Sequence, residues 1–260
     1  MNLDLAARTA VVTGASRGIG LATVRTLISE GVRVVGAART ITPELKDSGA
    51  FPVSVDLGTP EGAAALMEQA SAELGGVDFV VNNVGNGDAM EPAGFLEIDE
   101  ARWKDVFDVN LLSAVRVSRA ALPGLIERRG GIVNVSSIVA RQPSAGTVDY
   151  SAAKAALVSF GKSLAEEFGP LGVRVNTVTP GPTRTPAWEE PGGFGSKLAA
   201  ASGSGHAEFL RGLPGHFGIT TGRMTEAEEV AALIVFLLSD VAGNITGADH
   251  VIDGGLLKGL

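Results

Sequence analysis

The 260-residue chain has no cysteine, three histidines, a single tyrosine and only 5% aromatic residues. Without cysteine there is no disulfide framework, no thiolate nucleophile and no zinc or iron–sulfur site built on sulfur. His206, His216 and His250 show no metal-ligand spacing, and no metal is expected. Basic residues are scarce, 21 against 29 acidic, for a formal net charge of −8 at pH 7. That balance argues against nucleic acid or an anionic membrane as partner. Long apolar runs are missing as well. Val230–Leu238 spans nine residues, far short of the ~20 needed to cross a bilayer. Met1–Leu5 lacks the basic start and apolar run of a secretory signal, so a soluble, cytoplasmic protein is expected. Glycine is in excess, with 35 residues beside 12 prolines. It follows no collagen-like period and punctuates apolar segments, as tight strand–helix junctions do.

Between those punctuations the pattern alternates. Thr9–Thr13, Val32–Ala37, Phe51–Val55, Val77–Val81, Ile132–Val135, Val173–Val178 and His250–Ile252 read as strands. Gly18–Glu30, Glu61–Leu74, Tyr150–Phe168 and Glu226–Leu238 read as helices, and Glu100–Ile126 as one long helix or two, interrupted near Pro123. The strand runs are continuously apolar, which suits a sheet covered on both faces. The expectation is an α/β, single-domain, doubly wound and mainly parallel seven-stranded sheet over residues 1–260. One region breaks the rhythm: residues 186–223 hold nine glycines within 38 positions. So long a connection, carrying Trp188, Phe194, Phe209 and Phe217, suggests a mobile apolar lid over a site.

Thr13-Gly14-Ala15-Ser16-Arg17-Gly18-Ile19-Gly20 follows the first strand directly and opens the first helix. Gly14 permits a tight turn, Gly18 clears room for a pyrophosphate, and Gly20 lets helix and strand pack closely. The amides at the helix start then face a negative ligand. At the end of the second strand, where an NAD site usually carries a carboxylate for the ribose hydroxyl, stands Ala38, followed by Arg39. With Arg17 in the turn, two guanidinium groups suit a 2′-phosphate, so NADP(H) is preferred over NAD(H).

Tyr150 and Lys154 are four apart and share one helix face. An adjacent ammonium stabilises a phenolate and makes the phenol a usable proton donor or acceptor nearer neutral pH. They follow Val133-Asn134-Val135-Ser136-Ser137 at the end of the fifth strand, the edge where open α/β sheets place ligands. Asp149 is read as the cap of the Tyr150 helix.

Taken together, these motifs resemble the short-chain dehydrogenase/reductase family over essentially the whole chain, near its 3-oxoacyl-reductase-like subgroup. The turn at 13–20 matches the family's cofactor motif. Asp56-Leu57 resembles its adenine-contacting pair. Asn82-Asn83-Val84-Gly85 matches its NNAG segment except at Val84. The resemblance implies Asn110, Ser137, Tyr150 and Lys154 as catalytic residues, with the 13-residue offset to the tyrosine selecting Ser137 over Ser136. It further implies cofactor contacts from Gly14, Ser16, Arg17, Gly18, Ile19, Gly20, Arg39, Asp56, Leu57, Asn83, Val84, Gly85, Tyr150, Lys154, Pro180, Gly181, Thr183 and Thr185. Tyr150 would protonate the substrate oxygen, Ser137 would hydrogen-bond it, and Lys154 would hold the nicotinamide ribose. Asn110 would hold a water leading from Lys154 to solvent.

The resemblance also places a substrate pocket under the 186–223 segment and the loop after Ser137. Val139, Trp188, Phe194 and Phe209 favour an apolar or cyclic carbonyl or alcohol substrate, and Arg141 is either a selector of an acidic tail or an ordinary solvated charge. Steroid, sugar, quinone, small ketone and acyl thioester all stay open. A homotetramer is implied, with Leu256–Leu260 packing on a neighbouring subunit or fraying. The competing readings are an NAD-dependent alcohol dehydrogenase of the same family and a catalytically silent NADP(H)-binding sensor or scaffold.

Overall fold

In a computed structural model, residues 2–85, 87 and 90–259 are described; Met1 and Leu260, at the two ends considered above, lie outside them. Seven strands form one sheet: β1 (Thr9–Thr13), β2 (Arg33–Ala38), β3 (Phe51–Ser54), β4 (Phe79–Asn82), β5 (Gly131–Val135), β6 (Arg174–Pro180) and β9 (Asp249–Ile252). Their order is β3-β2-β1-β4-β5-β6-β9, and every neighbouring pair is parallel. A second, two-stranded ladder joins β7 (Thr183–Arg184) to β8 (Thr225–Glu226).

The continuous valine runs are explained by the pleat. Adjacent residues of one strand point to opposite faces, so each face needs its own apolar set. Val12, Val34, Val81 and Val133 pack under α1 (Gly18–Ser29) and α10 (Ala227–Leu238). Val11, Val35, Val80 and Ile132 pack under α3 (Pro60–Leu74), α5 (Ser113–Arg128) and α6 (Val148–Phe168). The short helix α2 (Pro43–Lys46) follows β2, and its Leu45 is fully buried in the first of these layers. Polar residues close the ends of elements: Arg174 donates to the carbonyls of Leu237, Leu238 and Ser239 at the end of α10.

The Glu100–Ile126 stretch does divide, but not at Pro123. α4 (Glu100–Phe107) and α5 meet in a π-helical turn at Asp108–Leu112, while Pro123 lies inside α5. Pro123 and Arg119 are both exposed, so the carbonyl that the proline leaves without a helical partner is open to water. Glu100–Arg128 is long and apolar enough by composition to cross a membrane. Its Val117, Ala121, Leu122 and Leu125 are consumed in the core beneath the sheet.

Residues 186–223 are not an open loop. They form α7 (Pro186–Glu189), α8 (Phe194–Ala201) and α9 (His206–His216). Leu213, Ile219, Met224 and Leu256 make a small core of their own, with Trp188, Phe209, Phe217 and Leu257 against it. Leu256 and Leu257 pack on their own chain: Asp253 accepts the amides of Gly255 and Leu257, which sets Leu256 into that core.

Candidate active site

The strand order reverses between β1 and β4, and open α/β sheets bind ligands in the crevice at that point. Gly14 and Gly18 there have φ of +64° and +55°, a left-handed backbone that side chains resist. A Cβ at Gly20 would fall 2.1 Å from the Gly14 carbonyl oxygen. Thr13 binds the turn to the loop after β4: its hydroxyl oxygen accepts the amides of Asn83 (3.0 Å) and Val84 (3.2 Å). Asn83 Nδ2 returns hydrogen bonds to the carbonyls of Thr13 and Gly14, both at 3.1 Å. Two motifs 70 residues apart are thus one structure. The first turn of α1 carries no acidic residue, and Arg17 gives it no side-chain cap, so its amides remain available to an anion. A left-handed turn, helix amides and a crevice with no room for side chains fit a dinucleotide diphosphate.

The other expected cofactor residues gather around this turn to differing degrees. Ser16 donates its hydroxyl to the Thr40 carbonyl, joining the turn to the loop after β2. Arg39, in that loop, is exposed, and its guanidinium has no hydrogen bond or ion pair among the described residues. Arg17 instead lies 3.8 Å from Glu190 of the 186–223 segment. Asp56 is exposed and accepts the Gly58 amide, whereas Leu57 is buried in the core and offers a ligand only its backbone. Ile19 is half-buried against α10. Past β6, the Gly181 amide donates to Ile252, and Thr183 donates to the Gly181 carbonyl. The Thr185 methyl then comes within 3.2 Å of where a Gly18 side chain would begin. Pro180 ends β6 at the same sheet edge.

Asn110, Tyr150 and Lys154 converge on the loop after β4. A methyl on Gly85 would lie 3.1 Å from Asn110 Oδ1 and 3.5 Å from Lys154 Nζ, and one on Gly87 3.9 Å from the Tyr150 hydroxyl. Asn110 sits in the π-helical turn, where the extra backbone residue swings its side chain off the regular helical face. Its Nδ2 donates to the Val106 carbonyl at 2.8 Å. Lys154 is 3% exposed and donates to the Val135 carbonyl at 2.9 Å; burial pushes its ammonium down to about 8. Its Nζ stands 5.7 Å from the Tyr150 ring centroid.

The two serines differ in setting. Ser136 is buried and donates to the Lys154 carbonyl at 3.1 Å, a structural role. Ser137 is half-buried at the start of a short helical turn, and among the described residues its hydroxyl accepts only the long 3.5 Å bond from the Val139 amide. Val139 is half-buried beside it, and neighbouring Ile138 touches the core of the 186–223 segment. Within that segment Trp188 meets Phe194 edge-on at 5.3 Å and Phe217 at 6.3 Å, and Phe209 packs in the same core. Much of this aromatic surface is spent on internal packing. His206 Nε2 lies 2.8 Å from the Trp188 carbonyl oxygen, and His216 stacks edge-on against Phe217.

Two sequence readings need correction. Arg141 is committed to Asp249, with Nε donating to the carboxylate at 2.7 Å, and lines a cavity of about 390 Å³ with Lys162 and Thr177 that none of the expected site residues enters. Asp149 is not the helix cap. It stands inside the first turn of α6, 1% exposed, and pairs with Arg102 of α4. The capping pattern hid this because an acidic residue at a helix start is read as local, while its partner lies 47 residues away.

A parallel seven-stranded sheet with this glycine turn at its switch point defines a Rossmann-type dinucleotide-binding oxidoreductase fold. The family model described as enoyl-(acyl carrier protein) reductase matches residues 14–257, and the chain belongs to the short-chain dehydrogenase/reductase superfamily. It is 34% identical to the 3-oxoacyl-(acyl-carrier-protein) reductase of Vibrio cholerae, over 98% of this chain and 99% of that one. It is 35% identical to the cis-4-hydroxycyclohexanecarboxylate dehydrogenase of Sinomonas cyclohexanicum, over 98% of each. The L-sorbose reductase of Gluconobacter frateurii, solved with NADPH and L-sorbose, matches with a TM-score of 0.91 and 32% identity over 100% of both chains.

Proposed function

We propose that the protein is an NADP(H)-dependent oxidoreductase acting on a carbonyl or the corresponding secondary alcohol. The observation that carries this reading is the convergence of Asn110, Tyr150 and Lys154 on Gly85 and Gly87, beside the glycine turn. Residues 14–20 hold the diphosphate, and Asn83, Val84, Gly85, Pro180, Gly181, Thr183 and Thr185 wall the dinucleotide. When bound, the nicotinamide supplies or accepts the hydride. Tyr150 delivers the proton to the substrate oxygen, and Ser137 donates a hydrogen bond that steadies the charge developing there. Lys154 binds the ribose and keeps a positive charge near the phenol, and Asn110 holds the water that leads back to solvent.

Preference for NADP(H) is supported by Ala38 where an NAD site carries a carboxylate, and by the uncommitted Arg39 next to it. Arg17 contributes less than its sequence position suggests, because Glu190 competes for it. An apolar or cyclic ketone is the favoured substrate, with 186–223 as the lid. Ile138 and Trp188 give that side its apolar character, and two relatives act on a ring alcohol and a ketose by name. The likeness to 3-oxoacyl reductases adds acyl thioesters to the classes worth assaying. We also propose a cytoplasmic homotetramer, supported by exposed Ala155 and Ser159, which leave α6 a low ridge for a second helix.

The test is nicotinamide absorbance with NADPH and NADH in parallel against cyclic ketones, ketoses, quinones and acyl thioesters. Tyr150→Phe should bind NADPH normally and lose turnover by on the order of 10²–10⁴-fold. Preference for NADH, or full activity in Tyr150→Phe, would overturn the reading.

A further inference from the structure

The α4–α6 contact contains an ion pair one residue from Tyr150, buried at its Asp149 end and half-buried at Arg102, that the mechanism above does not use. Asp149 Oδ2 accepts from Arg102 Nε at 2.7 Å, and Asp149 Oδ1 accepts the Tyr150 backbone amide at 2.9 Å. The same guanidinium donates through Nη2 to the Glu91 carbonyl at 2.8 Å. Glu91 lies in the loop that follows β4, and its carboxylate is 3.2 Å from Lys197 of α8. Four consecutive contacts therefore run from the 186–223 segment to the backbone of Tyr150.

Burial gives this chain its consequence. A carboxylate taken out of water is strongly destabilising once its partner is removed, so Asp149 keeps Arg102 in place. Asp149 is 1% exposed, and Arg102 is its only ion-pair partner among the described residues. The planar fork of the guanidinium lets Arg102 hold Asp149 through Nε and the Glu91 carbonyl through Nη2 in one fixed geometry, which a lysine ammonium does not reproduce. Resting on the functional reading above, we infer that Arg102 and Asp149 are positioning residues for Tyr150, and that through Glu91 they tie its placement to helix α8.

Tyr150 is the only tyrosine in the chain, so a tyrosine isotope label at Cζ gives one NMR resonance that reports its setting directly. The wild-type protein should show one narrow line. Asp149→Asn and Arg102→Met should shift or broaden it, with Arg102→Lys intermediate. Single-turnover hydride transfer should fall on the order of 10–100-fold with substrate KM and the NADPH Kd within about twofold, as a misplacement near 1 Å produces. Lys197→Glu, at the far end of this series of contacts, should slow hydride transfer about threefold, and adding Glu91→Lys should restore it. If Asp149→Asn does not fold, the Lys197→Glu and Glu91→Lys pair decides. An unchanged resonance and an unchanged hydride-transfer rate in folded variants would overturn the inference. If no carbonyl is reduced by the wild-type protein, the function reading fails alone, and the Tyr150 resonance still decides the positioning role.

Discussion

The glycine turn and the 186–223 segment meet at one sheet edge, where Arg17 faces Glu190 and Pro186 approaches Gly18. They are held by opposite means. The turn is fixed by backbone: two left-handed glycines, a helix start and the amides and carbonyls tied through Thr13 and Asn83. The segment is fixed by side chains, with Leu213, Ile219, Met224 and Leu256 meeting under a ring of aromatic edges. A backbone cradle suits a ligand that never changes, and a side-chain cover suits one that does. Substitutions in the first should act on cofactor binding, and those in the second on substrate binding.

The sharpest contrast comes from Leu213→Ala. Leu213 is fully buried, and the cavity left should cost about 2–5 kcal/mol, spent locally on the segment. Limited proteolysis should then cut within 186–223, and substrate KM should rise while NADPH Kd is unchanged; equal weakening of both would dissolve the distinction. Lys154 gives a comparable effect of a different kind. An unfolded lysine keeps its proton to pH 10.5, and the folded one releases it near 8, so the unfolded chain binds more protons between those values. Stability should therefore rise with pH across that window, by about 3 kcal/mol. In urea unfolding this rise should vanish in Lys154→Met; an identical pH slope in both proteins would refute it.

On the turn, Gly20→Ala forces a methyl toward the Gly14 carbonyl and should cost about 1–3 kcal/mol by thermal unfolding, with a large loss of NADPH affinity. Arg39→Ala is the mildest. It should weaken NADPH about tenfold, as loss of a charge-assisted contact does, and leave NADH unaffected. Equal effects on both cofactors would remove Arg39 from the 2′-phosphate site.

This difference in construction also decides what the sequence makes legible. All seven strands of the sheet are readable: the central ones must feed two buried faces with adjacent apolar residues, as Val11 and Val12 do, and the short edge strands β3 and β9 carry enough apolar residues between turns to follow the same alternation. Gly14, Gly18 and Gly20 are readable because only glycine permits that backbone. The helices of 186–223 are not, since nine glycines mask a periodicity that apolar packing against Leu256 restores. The π-helical turn under Asn110 leaves no mark, whereas Pro123 advertises a break that its exposed position makes unnecessary. Arg102 and Asp149 escape for a third reason: Arg102 looks like an ordinary helix-surface charge and Asp149 like a helix cap until α4 and α6 are packed together.

The most direct test of the account follows a deuterium placed at the transfer position of the nicotinamide of NADPH. With the best cyclic ketone, mass spectrometry should find that deuterium on the carbinol carbon of the product, and Tyr150→Phe should form almost none. Product carrying no deuterium from the cofactor, or equal product from Tyr150→Phe, would contradict hydride transfer at this site.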